Sequence, residues 1–417
     1  MCHHARSDAK GEDMTDQTVT QRIHESGCKY EPYVIDQRRY FHAHPELSMK
    51  EVKTSDAIAA ELDKMGVSYT RPYETGLIAT IKGEAPDAFD SQGKPHHCLV
   101  LRSDIDALPV EERTGASYAS QNEGVMHACG HDCHIAMMLG AIKILNDMKE
   151  QLRGEVRIIF QPAEDISIGS KKMIAAGALD GAESIYGAHI WSEVKAGTIS
   201  ADPGPRMANT DWFRIDVTGS SAHGAMPHKG VDAVVVGAAL VEALQVVVSR
   251  DVSPFEPVVL TIGEFHAGVA RNVMAGSAYL TGTVRSFNPN LRVSLKGRLD
   301  RIVQMVASSY GAEATFEWSE GNAALINDEE CAQRARGSIT KVLGDQALAN
   351  YEGTLSGEDF SEYLQLVPGV FVFIGARNPE VGAEHPQHSC FFEVDESVLI
   401  KGSMVAAQYA FDFLNED

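Results

Sequence analysis

Two different alternations of strand and helix are written into this chain, one nested inside the other, and that nesting limits what it can fold into. Up to about residue 204, helical apolar spacing (Tyr33 to Tyr40, Lys50 to Lys64) alternates with short apolar runs (Leu77 to Ile81, Cys98 to Leu101, Val156 to Phe160, Ile185 to Ala188) that read as strands. A helix ending near Leu152 precedes the third run. This pattern predicts an α/β core with its working residues at the C-terminal ends of strands. Asp104, Asp106, Glu164, Asp165 and His189 are each expected just past such a strand.

From about Pro205 to Ser319 the order changes. A strand (Trp212 to Val217), a helix (Val231 to Ser249), two strands (Val258 to Gly263, Ala278 to Val284), a helix (Leu291 to Tyr310) and a strand (Ala314 to Trp318) follow one another. This β-α-β-β-α-β order is that of a ferredoxin-like unit, compact enough to be inserted into a larger domain. A helix at Glu329 to Leu343 and an apolar run at Val370 to Ile374 then resume the first pattern. The expected organisation is a mixed-sheet α/β domain from 29–204 and 320–417, interrupted by a unit at 205–319. Residues 1–28 are polar and aperiodic and are expected to form a disordered arm, with Met14 an alternative start.

The 417 residues are 44% hydrophobic, enough for a large core, and carry a formal charge of −22. That charge argues against nucleic acid and anionic membranes as partners, since both require basic surface. No apolar stretch is read as approaching the roughly 18 residues of a membrane span, and the N-terminus has no hydrophobic signal core. Seven scattered cysteines (Cys2, Cys28, Cys98, Cys129, Cys133, Cys331, Cys390) suit free thiols in a reducing compartment. The expected location is the cytoplasm.

Metal-ligand chemistry is densest at Met126-His127-Ala128-Cys129-Gly130-His131-Asp132-Cys133-His134, directly before the apolar run Ile135 to Leu145. Cys129 and His131 can reach one metal if Gly130 allows a sharp bend. A redox pair is the rival reading, but Cys129 and Cys133 are not spaced as Cys-x-x-Cys. Gln161-Pro162-Ala163-Glu164-Asp165 places adjacent acids beyond a buried strand that Pro162 ends; a helix N-terminus dressed with acids is the alternative there. His189 and the His385-Pro386-Gln387-His388-Ser389-Cys390 segment add imidazoles. Cys129, His131, an acid at 164 or 165, His189 and His388 make five donors of types that zinc, manganese or cobalt accept. Five exceed one structural zinc but suit two metals roughly 3.5–4 Å apart, an arrangement that serves hydrolases.

These motifs, with Arg39-Tyr40-Phe41-His42-Ala43-His44-Pro45-Glu46-Leu47, Arg102-Ser103-Asp104-Ile105-Asp106-Ala107-Leu108-Pro109, Ala222-His223-Gly224-Ala225-Met226-Pro227-His228, Arg271-Asn272-Val273, Gly282-Thr283-Val284-Arg285 and Gly357-Glu358-Asp359-Phe360, resemble the dinuclear metallo-amidohydrolases. That family includes auxin-conjugate hydrolases, hippurate hydrolases and N-acyl-amino-acid amidohydrolases, and is related to carboxypeptidase and aminoacylase metallopeptidases. The likeness runs from about Arg38 to the C-terminus. It implies a metallopeptidase-like catalytic domain whose insert is a dimerisation lid, and a homodimer or a higher oligomer built on it.

By that resemblance Cys129, His131, Asp165, His189 and His388 hold two divalent ions, zinc or manganese, with cobalt or nickel admissible. Glu164 is the general base that takes a proton from the attacking water and returns it to the leaving amine. Asp106 orients a metal ligand, and His223 reaches the partner subunit's site to donate to the oxyanion. Asn272 and Arg285 bind oxygens of a small N-acyl amino acid substrate; an Arg fork suits its free carboxylate. The rival activities are dipeptidase or carboxypeptidase action, carbamoyl amide hydrolysis, and a non-catalytic binding homologue. One departure stands out: the family usually carries Glu-Glu where this chain has Glu164-Asp165. The ligand is shorter by one methylene, which bears on metal spacing, affinity and identity while conserving charge.

Overall fold

The computed structural model describes residues 14–416. It corrects the expected arm at once, because helix α1 runs over Met14–Ala43. Its apolar stripe is sparse: Val19, Ile23, Tyr30, Val34 and Phe41 recur at intervals of four and seven, and Ile23, Val34 and Phe41 are buried in the main core. One apolar residue every turn or two is enough for a helix lying on a larger body, yet polar neighbours hide it in composition. The part of the expected arm before residue 14 lies outside the described residues.

Helix α2 (Val52–Met65) and strands β1 (Ser68–Tyr73), β2 (Gly76–Lys82) and β3 (His97–Asp104) follow, then α3 (His131–Asn146), β4 (Gly154–Gln161), α4 (Gly169–Ala175), β5 (Ser184–Lys195) and β6 (Ile199–Ser200). The helix expected to reach Leu152 stops at Asn146, and a 3₁₀ turn at Lys149–Gln151 makes the connection. Next come β7 (Gly204–Met207), β8 (Asp211–Thr218), α5 (Ala233–Val246), β9 (Val258–Ala267), β10 (Ser277–Ser286), α6 (Pro289–Ser309), β11 (Glu313–Glu320) and β12 (Leu325–Asn327). The chain closes with α7 (Glu329–Leu343), α8 (Ser361–Leu364), β13 (Gly369–Arg377) and α9 (Leu399–Leu414).

Two compact units result: Met1–Gly204 with Asn327–Glu352 and Glu362–Asp417, and Pro205–Ile326 with Gly353–Ser361. The chain therefore returns to the first unit at Asn327 rather than at 320, since β12 pairs with β7. Gly353–Ser361 goes back once more to the second, an excursion no periodicity announces.

The first unit holds a seven-stranded mixed sheet ordered β1-β2-β4-β3-β5-β13-β6. β3 runs parallel to β4 and β5, and β5 parallel to β13; β1–β2, β2–β4 and β13–β6 are antiparallel. Parallel pairing brings the ends of several strands to one edge. Asp104 is paired with Gln161, and Arg102 with Gly187, so His189 stands level with both. His189 was expected past its strand, but β5 continues to Lys195. Pairing with the long strand β13 extends β5, and the register, not the strand end, places His189 at the site. Helix α3 is buried nearly all round, from His131 to Leu145, against α1, α9 and the sheet.

In the second unit the antiparallel sheet is ordered β11-β8-β10-β9. Alternate residues Phe213, Ile215, Val217, Leu280 and Val284 pack with Leu240 and Leu244 of α5 and Leu295, Leu299 and Val303 of α6. One sequence expectation fails here. The helical stretch Ala233–Asp251 is 19 residues long with mean hydropathy 1.8, long and apolar enough to cross a membrane by those two measures alone. One face of it supplies Val236, Leu240, Leu244 and Val247 to the core of this unit.

Candidate metal centre

Gly130 caps the N-terminus of α3 at φ +93°, and a Cβ there would lie 2.3 Å from Ile190 Cγ2. Only glycine satisfies both the left-handed turn and the close approach. The bend sets Cys129 and His131 on either side of it. His131 Nδ1 donates to the Asp106 carbonyl at 2.9 Å, with Asp106 Oδ1 at 3.3 Å. Its Nε2 is thereby left as the uncommitted ring nitrogen, buried without a hydrogen-bond partner. His189 is fixed the same way: Nδ1 donates to the Ile190 carbonyl at 2.6 Å and Nε2 lies 3.5 Å from Cys129 Sγ.

His388 comes from the loop after β13. Its N–H donates to the Ala128 carbonyl at 2.8 Å, and its φ of +66° is unusual for a residue with a side chain. His388 Nε2 lies 3.8 Å from Asp165 Oδ1. Glu164 and Asp165 sit in a turn after β4, well before α4 begins at Gly169, so the helix N-terminus alternative does not hold. Asp106 is the hub of this turn. Its Oδ1 accepts from Glu164 N at 3.1 Å, and Oδ2 accepts from Asp165 N at 3.2 Å and Ser48 Oγ at 2.7 Å.

All five expected ligands meet in the first unit. Cys129, His131 and His189 form one donor group and Cys129, Asp165 and His388 another, each with its donor atoms within 4.8 Å of one another. Cys129 belongs to both. A thiolate, three imidazoles and a carboxylate, with His131 Nε2 buried and otherwise unpartnered, fit two divalent cations. Asp104, His131 and His134 also cluster, but His134 is already committed. Its Nδ1 bonds Asp104 Oδ1 and its Nε2 accepts from Ile190 N at 2.8 Å.

Electrostatics fit cation binding. Burial pushes the Cys129 thiol up, with Asp165 adding to it, so a thiolate there needs a positive neighbour. Burial, then His134, holds His189 well below its ordinary value, as the neutral imidazole a metal requires. Burial also disfavours charge on His131, but Asp104, Cys129 and Asp106 outweigh it and hold the imidazole well above its usual range, so a cation bound at Nε2 takes the place of a proton there. Cys133 is a buried free thiol inside α3, as Cys129 is at its mouth. His127 is buried, and burial brings it down to about 4.

Sequence reasoning overlooked the charged network beneath this helix. Buried Arg38 donates to Asp132 Oδ2 at 3.0 Å, Glu393 at 2.6 Å and Glu396 at 3.3 Å. His42 Nδ1 bonds the same Asp132 oxygen at 2.8 Å, and its Nε2 lies 3.3 Å from Glu112. Both cations lie in the Arg39-to-Leu47 motif or beside it, but nothing in the motif says which acids they meet.

His223, Asn272 and Arg285 lie in the second unit. His223 is bridged to Val273, and Gly224 N donates to the Asn272 carbonyl at 2.9 Å, so those two are neighbours. Arg285 was expected just after a strand but stands inside β10, one residue from its end, where Nη1 donates to the Val284 carbonyl at 3.2 Å.

The model of peptidase family M20/M25/M40 matches residues 100–412. An N-acyl-L-amino acid amidohydrolase of Geobacillus stearothermophilus is 40% identical over 312 residues, 74% of this chain and 82% of that one. Thermostable carboxypeptidase 1 of Saccharolobus solfataricus is 36% identical over 404 residues, 95% of this chain and all of the other. Among solved structures, the Bacillus subtilis YXEP protein, described as a dinuclear metal binding peptidase of the M20 family, superposes with a TM-score of 0.81 at 32% identity, covering 93% of this chain and 99% of that one.

Proposed function

The chain belongs to peptidase family M20/M25/M40, and from that premise we propose that it hydrolyses the amide bond of N-acyl or N-aroyl amino acids, releasing a carboxylic acid and a free amino acid. The observation that carries the reading is the pair of donor groups sharing Cys129, with Glu164 Oε2 4.0 Å from His131 Nε2. Two divalent cations, zinc or manganese, would be held by Cys129, His131, Asp165, His189 and His388. When bound they polarise the scissile carbonyl and bring the pKa of a water toward roughly 7.

The remaining steps belong to side chains. Glu164, nearly buried, takes the proton of the attacking water and returns it to the leaving nitrogen. Asp106 keeps the Glu164 backbone and the His131 ring in place. The second unit acts as a ferredoxin-like lid and dimerisation domain. From it His223 of one subunit donates to the oxyanion formed in the other, while Asn272 and Arg285 hold substrate oxygens. Exposed Val234, Val235 and Val246 on α5, with Val259 and Phe265 on the edge strand β9, suit a second copy of the chain. Cys98, Cys129, Cys133, Cys331 and Cys390 are free thiols, in keeping with a cytoplasmic location.

Carboxypeptidase action is the second reading, favoured by the likeness to the Saccharolobus enzyme. Amine release from acetyl, benzoyl, indole-acetyl and long-chain acyl amino acids, against a set of unblocked dipeptides, separates the two. Turnover of at least one acyl amino acid well above every dipeptide is expected; the reverse order would favour the peptidase.

A further inference from the structure

Met49 at φ +66° and Ala163 at φ +55° both adopt the left-handed conformation without being glycine. Their N–H groups donate to one and the same oxygen, Glu51 Oε1, at 2.9 and 3.0 Å. Glu51 Oε2 accepts from Thr75 Oγ1 at 2.9 Å, and the whole residue is buried. Backbone in this region persists only where its surroundings over-determine it, and here one buried carboxylate constrains both residues.

Ala163 immediately precedes Glu164 and Asp165. Three consecutive amides are thus held by two carboxylates: Ala163 N by Glu51, and Glu164 N and Asp165 N by Asp106. The Ala163 carbonyl accepts from Gly169 N at 3.1 Å, closing the turn. A Cβ on Gly169 would meet the Pro162 carbonyl oxygen at 1.6 Å, so the turn is also packed tightly against the start of α4. With Ala163 held at both its N–H and its carbonyl, and the next two amides held by Asp106, the direction in which the Glu164 and Asp165 side chains leave the backbone is set.

We propose that Glu51 is a positioning residue: by locking Ala163 in the left-handed conformation it aims Glu164 at the reacting atoms and Asp165 at the cation. This rests on the roles given above to Glu164 and Asp165. Glu51 belongs to neither donor group of the centre. Its effect on the two acids passes through Ala163, and that makes it separable from a general contribution to stability.

The test uses Glu51→Ala, Glu51→Gln, Thr75→Val and Ala163→Gly, the last because glycine adopts positive φ unaided. Four quantities are read: kcat, KM, affinity for Zn²⁺ by chelator competition, and Tm. Glu51→Ala is expected to lower kcat about 10- to 100-fold with KM little changed, the cost of a small misplacement, and to weaken the looser Zn²⁺ equivalent. Adding Ala163→Gly should restore most of both. Glu51→Gln keeps an accepting oxygen for both amides and should retain at least about a third of kcat. If Glu51→Ala does not fold, Thr75→Val, which frees Glu51 Oε2, should show a smaller loss also reversed by Ala163→Gly.

Wild-type kcat and Zn²⁺ affinity in these variants would overturn the proposal. So would a loss that tracks Tm and that Ala163→Gly leaves untouched. If the wild-type protein releases no amine from any acyl amino acid, the functional reading fails but the Zn²⁺ measurement still decides for or against Glu51.

Discussion

A thiol shared by two donor groups makes Cys129 the residue on which the site turns. Buried and facing acids, it forms a thiolate only with cations to offset the charge, so metal binding and its deprotonation are one event. Glu164 stands apart as the acid proposed to move a proton. Replacing it with Gln should leave two metal equivalents bound and Tm unchanged while kcat falls about 10²- to 10⁴-fold; substantial remaining turnover with full metal would remove it as the base. Cys129, His131, His189 and His388 could be picked out of the sequence because ligating ability belongs to the residue type. Asp106 was marked by the resemblance as orienting a ligand, but its hold on the Glu164 and Asp165 amides, and that of Glu51 on Ala163 N, act on a turn made far away in the chain and show only in three dimensions.

Among the elements, α3 carries the centre, and α1 and the loop before α9 hold α3. Arg38 and His42 of α1 meet Asp132 in the first turn of α3, and Glu393 and Glu396 complete the tie. Burial and Arg38 oppose charge on His42, but Asp132 and Glu112 outweigh them and raise it to about 9. A raised imidazole stabilises the folded state fully below its unfolded value of 6.5, and that contribution is lost as pH climbs from 6.5 through about 9. Full loss is on the order of 3 kcal/mol. Chemical denaturation of wild type and His42→Gln should show a stability gap that is widest at pH 6 and narrows by pH 9.5; a constant gap would mean that His42 carries no such charge. Glu112, lowered to about 2 against burial by His42, Thr114 and Ser120, works in the opposite direction, losing its contribution as pH falls from 4.5 toward 2. Strands such as β3, β4 and β13 were legible as apolar runs. The length of α1 was not, because a stripe of single apolar residues is outnumbered by its polar neighbours, nor was the reach of β5, which follows from its pairing with β13.

For the molecule as a whole, the nested organisation was readable because each unit has its own periodicity, whereas the return at Asn327 and the excursion of Gly353–Ser361 depend on pairing across long sequence distances. As the proposed lid serving a partner's site, the second unit has a specific consequence. Glu164→Gln and His223→Ala chains, each nearly inactive alone, should regain about a quarter to a half of wild-type activity per site when mixed into heterodimers, since one complete site is rebuilt. No recovery after verified exchange would place His223 outside the partner's site. The central claim, a two-metal amidohydrolase built on Cys129, is tested most directly by titrating metal-stripped protein with Mn²⁺ or Zn²⁺ while following amine release from an N-acyl amino acid that it turns over. Activity absent without metal and levelling off at two equivalents per chain is the predicted result; release that persists in the stripped protein, or that is absent at every metal loading, would contradict it.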